Sequence, residues 1–283
     1  MMTMGRILGL MVAIVAAGAS LVGQGRPAAV QSTRLYVFEN GNIRGLSTTL
    51  FNFAPEEIKQ PDFVNVSYLI VHPKGTLQFE AGAIPDSHFT GGAPVTEGIM
   101  SASKPLVPQI VAAGYKPSEV TYFAMSHYHS DHTANANEFA NATWIVQKAE
   151  RDYMFQEKPE GIIQPATYSA LRNAKTRILD SEDFDVFGDG AVRLISAPGH
   201  TPGHQVLFVR LPKRGPVLLA GDLYHYPEER TTGRVPTFEF NADQSRAARA
   251  KVEGILKQTG AALWIEHDIA THEKLAKAPA FIE

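Results

Sequence analysis

Cysteine is absent from all 283 residues. That excludes disulfides, thiolate zinc sites, cysteine nucleophiles and a lipid anchor on cysteine. Charge is scarce as well: 19% of residues are Asp, Glu, Lys or Arg and the formal net charge is −3. Nothing here resembles the basic footprint of a nucleic-acid-binding chain, so no nucleic-acid partner is expected. Internal repeats, low-complexity tracts and an obvious linker after residue 30 are also missing. Long apolar runs are confined to one place. Arg6 precedes the seventeen apolar and small residues 7–23, and residues 1–26 hold two Arg and no acid. A positive start, an apolar centre and a small-residue end make a secretory signal peptide. The alternative is an uncleaved anchor, for which seventeen residues is near the minimum span. Cleavage between residues 19 and 29 is expected, giving a periplasmic or secreted protein with no membrane contact thereafter. The remainder carries 24 basic against 29 acidic residues, a mildly acidic body suited to a small-molecule substrate rather than a polyanion.

A hydrophobic content of 44% marks a globular chain, and residues 30–283 read as one domain. Residues 35–38 read as a short strand. Residues 63–72 and 76–79 read as a hairpin about Pro73 and Gly75. Residues 83–98, rich in Gly, Pro and Ser, read as loop. A helix near 104–113 has Ser103 as a candidate cap and Gly114 as its stop, with Pro108 an awkward fit. Strand 119–125 and a helix over 133–141 follow, then strand 143–146 and helix 147–155. Residues 156–180 read as loop plus one helix. Strands are expected at 192–196, 205–211, 216–220 and 261–265. Ala248, Val252, Ile255 and Leu256 share one face of a helix over 241–258 that Gly260 ends. A terminal helix is expected over 269–278. Strands and helices thus interleave in an α/β pattern.

The densest chemistry lies between strand 119–125 and the helix after it, at His127-x-His129-x-Asp131-His132. Residues two apart on an extended chain point the same way, so His127 and His129 project together off the strand end. Asp131 and His132 are aimed by the turn into the helix. Three imidazoles and a carboxylate within six residues suit a borderline-soft divalent metal. Further ligand-competent side chains follow other strands: His200 and His204 in Pro198-Gly-His200-Thr-Pro-Gly-His204, Asp222 after 216–220, and Glu266-His267-Asp268 after 261–265. A lone carboxylate past an apolar strand is usually a turn residue or cap. The weight comes from the recurrence.

In order and spacing these motifs resemble those of the metallo-β-lactamase fold superfamily of hydrolases, over roughly residues 60–275. The resemblance implies a four-layer αβ/βα sandwich of two mixed sheets with helices outside and the site along one edge. It implies that His127, His129 and His200 hold one divalent ion and that Asp131, His132 and His267 hold a second, with Asp222 bridging. Zinc is the first expectation, with iron, manganese or cobalt as alternatives. His204 is expected to pack beneath the site, and His72, His88 and His272 to be ordinary surface or loop histidines. Glu80 stands where the family usually has Asp and is expected to position loops rather than bind metal.

The chemistry implied is hydrolysis by a metal-bridging hydroxide, the two ions lowering the pKa of a shared water from ~15.7 towards ~7. Asp131 would orient it and shuttle its proton. Either Tyr224 or His225 would donate to the developing oxyanion. Among members, N-acyl homoserine lactone lactonases look most similar, on the Pro-Gly-His200-Thr-Pro-Gly-His204-Gln205 turn and Glu266-His267-Asp268. Those enzymes carry tyrosine three residues past the bridging aspartate, where this chain has His225. An aromatic acyl wall is expected over 223–240, from Tyr224, Tyr226, Phe238 and Phe240 with Arg230 and Arg234. The alternative substrate is a β-lactam, which an exported enzyme would meet. Thioesters of cytosolic glutathione fit export poorly. A homodimer is left open.

Overall fold

In the computed structural model, residues 30–158 and 160–283 are described. The expected signal peptide lies outside them. Among the described residues no helix is long and apolar enough to cross a membrane.

Alternation along the strands sorts side chains to two faces and so builds the layers. β1 (Arg34–Ile43), β2 (Phe63–His72) and β3 (Gly75–Phe79) form an antiparallel meander. β4 (Val95–Glu97) and β5 (Met100–Ala102) extend it beyond β1, while β6 (Tyr122–Ala124), β7 (Thr143–Gln147) and β8 (Thr176–Leu179) continue it in parallel beyond β3. The order is β4-β5-β1-β2-β3-β6-β7-β8. A second sheet runs β13-β12-β11-β10-β9, from β9 (Phe184–Asp185), β10 (Val192–Ser196), β11 (Gln205–Leu211), β12 (Gly215–Leu219) and β13 (Ala262–Trp264). Only β12 and β13 pair in parallel in that sheet.

Along β2, Tyr68 and Ile70 join Leu194, Leu207, Val217 and Leu219 in a core between the sheets. Leu69 and Val71 face the other way, into a core beneath α1 (Leu106–Ala112), α3 (Lys148–Met154) and α4 (Pro165–Tyr168). The outer face of the second sheet packs Val206, Phe208 and Leu218 on Ala248, Val252 and Leu256 of α6 (Ala242–Thr259). Each fully buried aliphatic side chain there contributes about 1.5–3 kcal/mol. Helix, sheet, sheet, helix is the four-layer arrangement of the metallo-β-lactamase fold.

Several elements differ from expectation. Residues 83–98 include β4, and 156–180 include β8, both short edge-side strands. α1 is capped from afar: Leu106 and Val107 N–H donate to Asp86 at 2.7 Å each, and Ser103 plays no part. Pro108 is tolerated because its missing N–H falls in the first turn, where no intrahelical partner exists. The helix over 133–141 divides into α2 (Ser130–Thr133) and a 3-10 turn, Ala136–Phe139, because Ala134 and Asn135 N–H donate instead to Gly82 and Ala81 carbonyls. Residues 227–232 form α5 (Pro227–Thr232), and α7 (Ile269–His272) ends well short of 278. His72 and His272 are buried rather than superficial. His72 stacks on Phe187 and meets Asp189, while His272 Nε2 donates to the Ile265 carbonyl at 3.0 Å.

Candidate metal centre

Every chemical side chain at the centre leaves the end of a strand or the turn just past it. β6 feeds the loop with His127 and His129, and α2 opens directly behind it to carry Asp131 and His132. The β10–β11 turn presents His200. Asp222 follows β12 and His267 follows β13. Asp222 is brought close by Gly221, whose φ is +48°; a Cβ there would lie 2.5 Å from Ser126 Cβ and 2.9 Å from His204 Nε2. Only glycine allows that approach without strain.

The seven residues fall into two groups. His127, His129, His200 and Asp222 place ligand atoms within 4.8 Å of one another, and so do Asp131, His132 and His267. Asp222 straddles them. Its Oδ1 is 3.2 Å from both His132 Nε2 and His267 Nε2, while Oδ2 is 3.5 Å from His200 Nε2 and 3.8 Å from His127 Nε2. The outer nitrogens of His200, His132 and His267 face neighbouring acceptors. His200 Nδ1 donates to Glu239 at 3.1 Å and His267 Nδ1 to the Val64 carbonyl at 3.0 Å, while His132 Nδ1 lies 3.2 Å from Glu80 Oε2. Such partners fix tautomer and ring orientation. His204 lies under the site, its Nε2 accepting from Asp222 N–H at 3.1 Å. Glu80 accepts from Ser126 N–H at 3.0 Å while adopting a left-handed backbone, φ +67°.

The electrostatics fit cations. His129 Nδ1 lies 2.9 Å from His127 Nε2 and 3.1 Å from His200 Nε2, so three ring nitrogens converge on one point. Burial, then the neighbouring His200, depresses His129 to about 3, and burial with His132 beside it holds His127 well below the ordinary range. Burial opposes ionisation of Asp222, but His267, His132 and His127 outweigh it and hold its pKa well below the usual value. His132 Nε2 and Asp222 Oδ1 are buried and have no hydrogen-bond partner. At His132 burial works against charge, but Asp131, Asp222 and Glu80 outweigh it and raise its pKa well above the ordinary value. Imidazole nitrogens and carboxylate oxygens converging in this way suit divalent metal ions.

His225 and Tyr224 part company. His225 Nε2 is 3.2 Å from Asp222 Oδ2 and its ring lines the cleft above the ligands. Burial works against its charge, but Asp222 and Glu229 raise its pKa to about 10. The Tyr224 hydroxyl donates instead to Glu253 on α6, at 3.2 Å, and its ring packs behind the second sheet. Tyr224 therefore drops out as an oxyanion donor: adjacent residues of this extended turn face opposite sides. Of the expected aromatic wall, Phe238 lines the cleft, whereas Tyr226 donates to the Pro61 carbonyl and Arg230 and Arg234 are tied to Glu253 and Glu57.

A sequence model described as the Metallo-beta-lactamase superfamily matches residues 90–263. The chain belongs to that superfamily. The N-acyl homoserine lactonase AttM of Azorhizobium caulinodans is 30% identical over 269 residues, covering 88% of this chain and 98% of the relative. The solved structure of an N-acyl homoserine lactone hydrolase, with product N-hexanoyl-L-homoserine at its catalytic metal centre, superposes with a TM-score of 0.73. It shares 22% identity and covers 89% of this chain and all of that one. AidC, described as a dizinc quorum-quenching lactonase, superposes at 0.60 with 20% identity, covering 88% and 93%. At those identities the two structures establish a common fold. With superfamily, relatives and ligand groups together, this metallo-β-lactamase-fold chain is a metal-dependent hydrolase that binds divalent metal.

Sequence reasoning missed Glu239 and Asn65, whose Nδ2 donates to Asp131 Oδ2 at 3.3 Å. It also missed Phe63, stacked on His267 at 4.6 Å, and Phe51, 4.9 Å from His225. Phe63 carried one usable signal, as the first residue of a strand whose far end is wholly buried. The others are ordinary in sequence and become functional only through distant contacts.

Proposed function

We propose that the protein opens N-acyl homoserine lactones to the corresponding hydroxy acids and works outside the cytoplasm. The carrying observation is the cleft of about 190 Å³ above the ligand groups. Its floor is His129, Asp131, His200, Asp222, His225 and His267, and its walls are apolar: Ile43, Leu46, Phe51, Phe63, Ile99, Met100, Ile162 and Phe238. Such a site matches a substrate with one reactive polar ring and one greasy chain. The relatives named N-acyl homoserine lactonases support the same substrate class. A β-lactam carries an anionic carboxylate, and the cleft lining among the described residues contains no Lys or Arg to receive it.

His127, His129, His200 and Asp222 would hold one cation, and Asp131, His132, His267 and Asp222 the other. Bound there, two divalent ions, zinc first among them, would supply an acidified water and a Lewis acid for the ester carbonyl. Asp131, steadied by Asn65, orients the attacking water through Oδ2 and takes its proton. His225 donates from Nε2 towards the oxygen that gains charge as the ring opens. Its backbone N–H donates to Glu229 Oε1 at 3.3 Å, and Arg249 pairs with Glu229, which anchors the residue at the cleft. Phe51, Phe63 and Phe238 exclude bulk water from this corner.

Zinc-loaded protein given a long-chain homoserine lactone and a carbapenem should open the lactone ring and leave the β-lactam intact, as followed by pH-stat and by absorbance. Rapid β-lactam opening with untouched lactone would reverse the assignment. For export, residues 1–26 are the proposed signal. Amino-terminal sequencing of protein from the cell envelope or medium should begin between residues 20 and 30. Recovery of the intact chain from cytosol alone would rule export out.

A further inference from the structure

Glu150 is a buried carboxylate that no step above uses. It lies in the first turn of α3, is 3% exposed, and takes part in none of the ion pairs among the described residues. Three donors from two separate loops converge on it. Tyr128 N–H donates to Oε1, while Thr201 Oγ1 and Gly203 N–H donate to Oε2, each at 2.8 Å. Tyr128 stands between His127 and His129, and Thr201 follows His200. Gly203 precedes His204, the support of Asp222. The approach is too close for a side chain: a Cβ on residue 203 would sit 2.4 Å from Glu150 N.

We propose that Glu150 is a positioning residue for the three-histidine cation group, holding the His127–His129 loop and the His200 loop at the separation one metal ion requires. It rests on the two-cation reading above. A carboxylate is the right group for the task. It accepts at both oxygens, so neither loop must turn a donor away. Burial pushes its pKa up to about 7, opposed by these same three hydrogen bonds, which favour the ionised form. Glutamine in its place presents an N–H₂ to at least one donor, and the Gly203 N–H cannot reverse its role as a hydroxyl can. None of Asp131, His132 and His267 hydrogen-bonds to Glu150, so the defect of a Glu150 variant should be selective for the three-histidine group.

The test compares zinc uptake by wild type, Glu150→Gln and Thr201→Val, by elemental analysis after equilibration at buffered free zinc and by chelator competition. Wild type should hold two ions per chain. Glu150→Gln should keep its circular dichroism and hold one, with affinity for the lost ion down about 10–100-fold, the usual effect of disturbing a ligand's supporting partner. Thr201→Val, which removes one bond of three, should show a smaller loss. In a His267→Ala background, adding Glu150→Gln should remove the remaining ion, and excess zinc should restore lactone opening to Glu150→Gln itself. Two ions held with wild-type affinity by Glu150→Gln overturn the proposal. So does a loss that excess zinc does not reverse. Should Glu150→Gln fail to fold, Thr201→Val decides: unchanged affinity overturns the proposal and a selective loss upholds it. Wild type that takes up no zinc removes the two-cation reading, and this proposal with it.

Discussion

His225 shows how much one position can hold and how little of it a sequence displays. From the chain alone, Tyr224 and His225 are equivalent candidates, because both follow Asp222 and both carry a donor. The structure separates them by direction: one ring enters the cleft at 3.2 Å from Asp222, and the other hydroxyl meets Glu253. The histidine–aspartate ligands were legible because metal chemistry demands particular atoms at particular spacings. Glu150, Glu239 and Asn65 were not, because a supporting carboxylate or amide acts through residues tens of positions away and leaves no local pattern. If His225 donates to the developing oxyanion, His225→Phe should keep both ions and lower kcat by about 10²–10³-fold with KM little changed, as loss of one such donor does elsewhere. His225→Tyr, which restores an O–H, should recover part of that loss. Steady-state kinetics on metal-quantified proteins decide it, and an undiminished kcat in the phenylalanine variant would remove His225 from the reaction.

Among elements, β2, β3, β10 and β11 could be read within a residue because their apolar alternation is long and their turns carry glycine or proline. β4, β5, β8 and β9 were missed because their two to four residues owe their state to a neighbour rather than to a pattern. Helix α6 was legible at both ends: Asn241 caps Asp243 and Gln244 N–H groups, and Gly260 closes it in the left-handed region. The segment after His132 was not, since its backbone donors are taken by Ala81 and Gly82. α7 carries a pH consequence. His272 is buried beside Tyr68 of β2, and burial lowers its pKa to about 4. Above its unfolded value near 6.5 the ring is neutral in both states, and the stability of its neutral form is fully present. As pH falls towards 4 the unfolded chain gains a proton that the folded one refuses, so stability drops. The loss amounts to roughly 3 kcal/mol by pH 4. His272→Gln keeps a donor for the Ile265 carbonyl and cannot titrate. Urea unfolding of the chelated proteins should therefore give curves whose stabilities converge as pH falls from 7 to 4. Parallel curves would refute the assignment.

For the molecule as a whole, the two sheets were predictable in kind, because each strand with an apolar inner face needs a second layer to bury it. What composition cannot reveal is that the centre draws from both. His127, His129, Asp131 and His132 follow the carboxyl end of β6 in the larger sheet. His200, Asp222 and His267 come from the β10, β12 and β13 ends of the smaller one. Cations held between them would tie one half of the sandwich to the other and add their binding energy to folding. At free zinc one hundred times the dissociation constant, each ion contributes about 2.7 kcal/mol. At a few degrees per kcal/mol for chains of this class, thorough chelation should lower Tm by roughly 10 °C, and restored zinc should return it. Asp222→Ala removes the residue common to both groups, so its Tm should sit near the chelated wild-type value and respond little to added zinc, with its metal content and turnover both collapsing. Calorimetry with and without chelator gives the comparison. An Asp222→Ala protein that still gains the full zinc-dependent shift would mean that the cations are held elsewhere than across this edge.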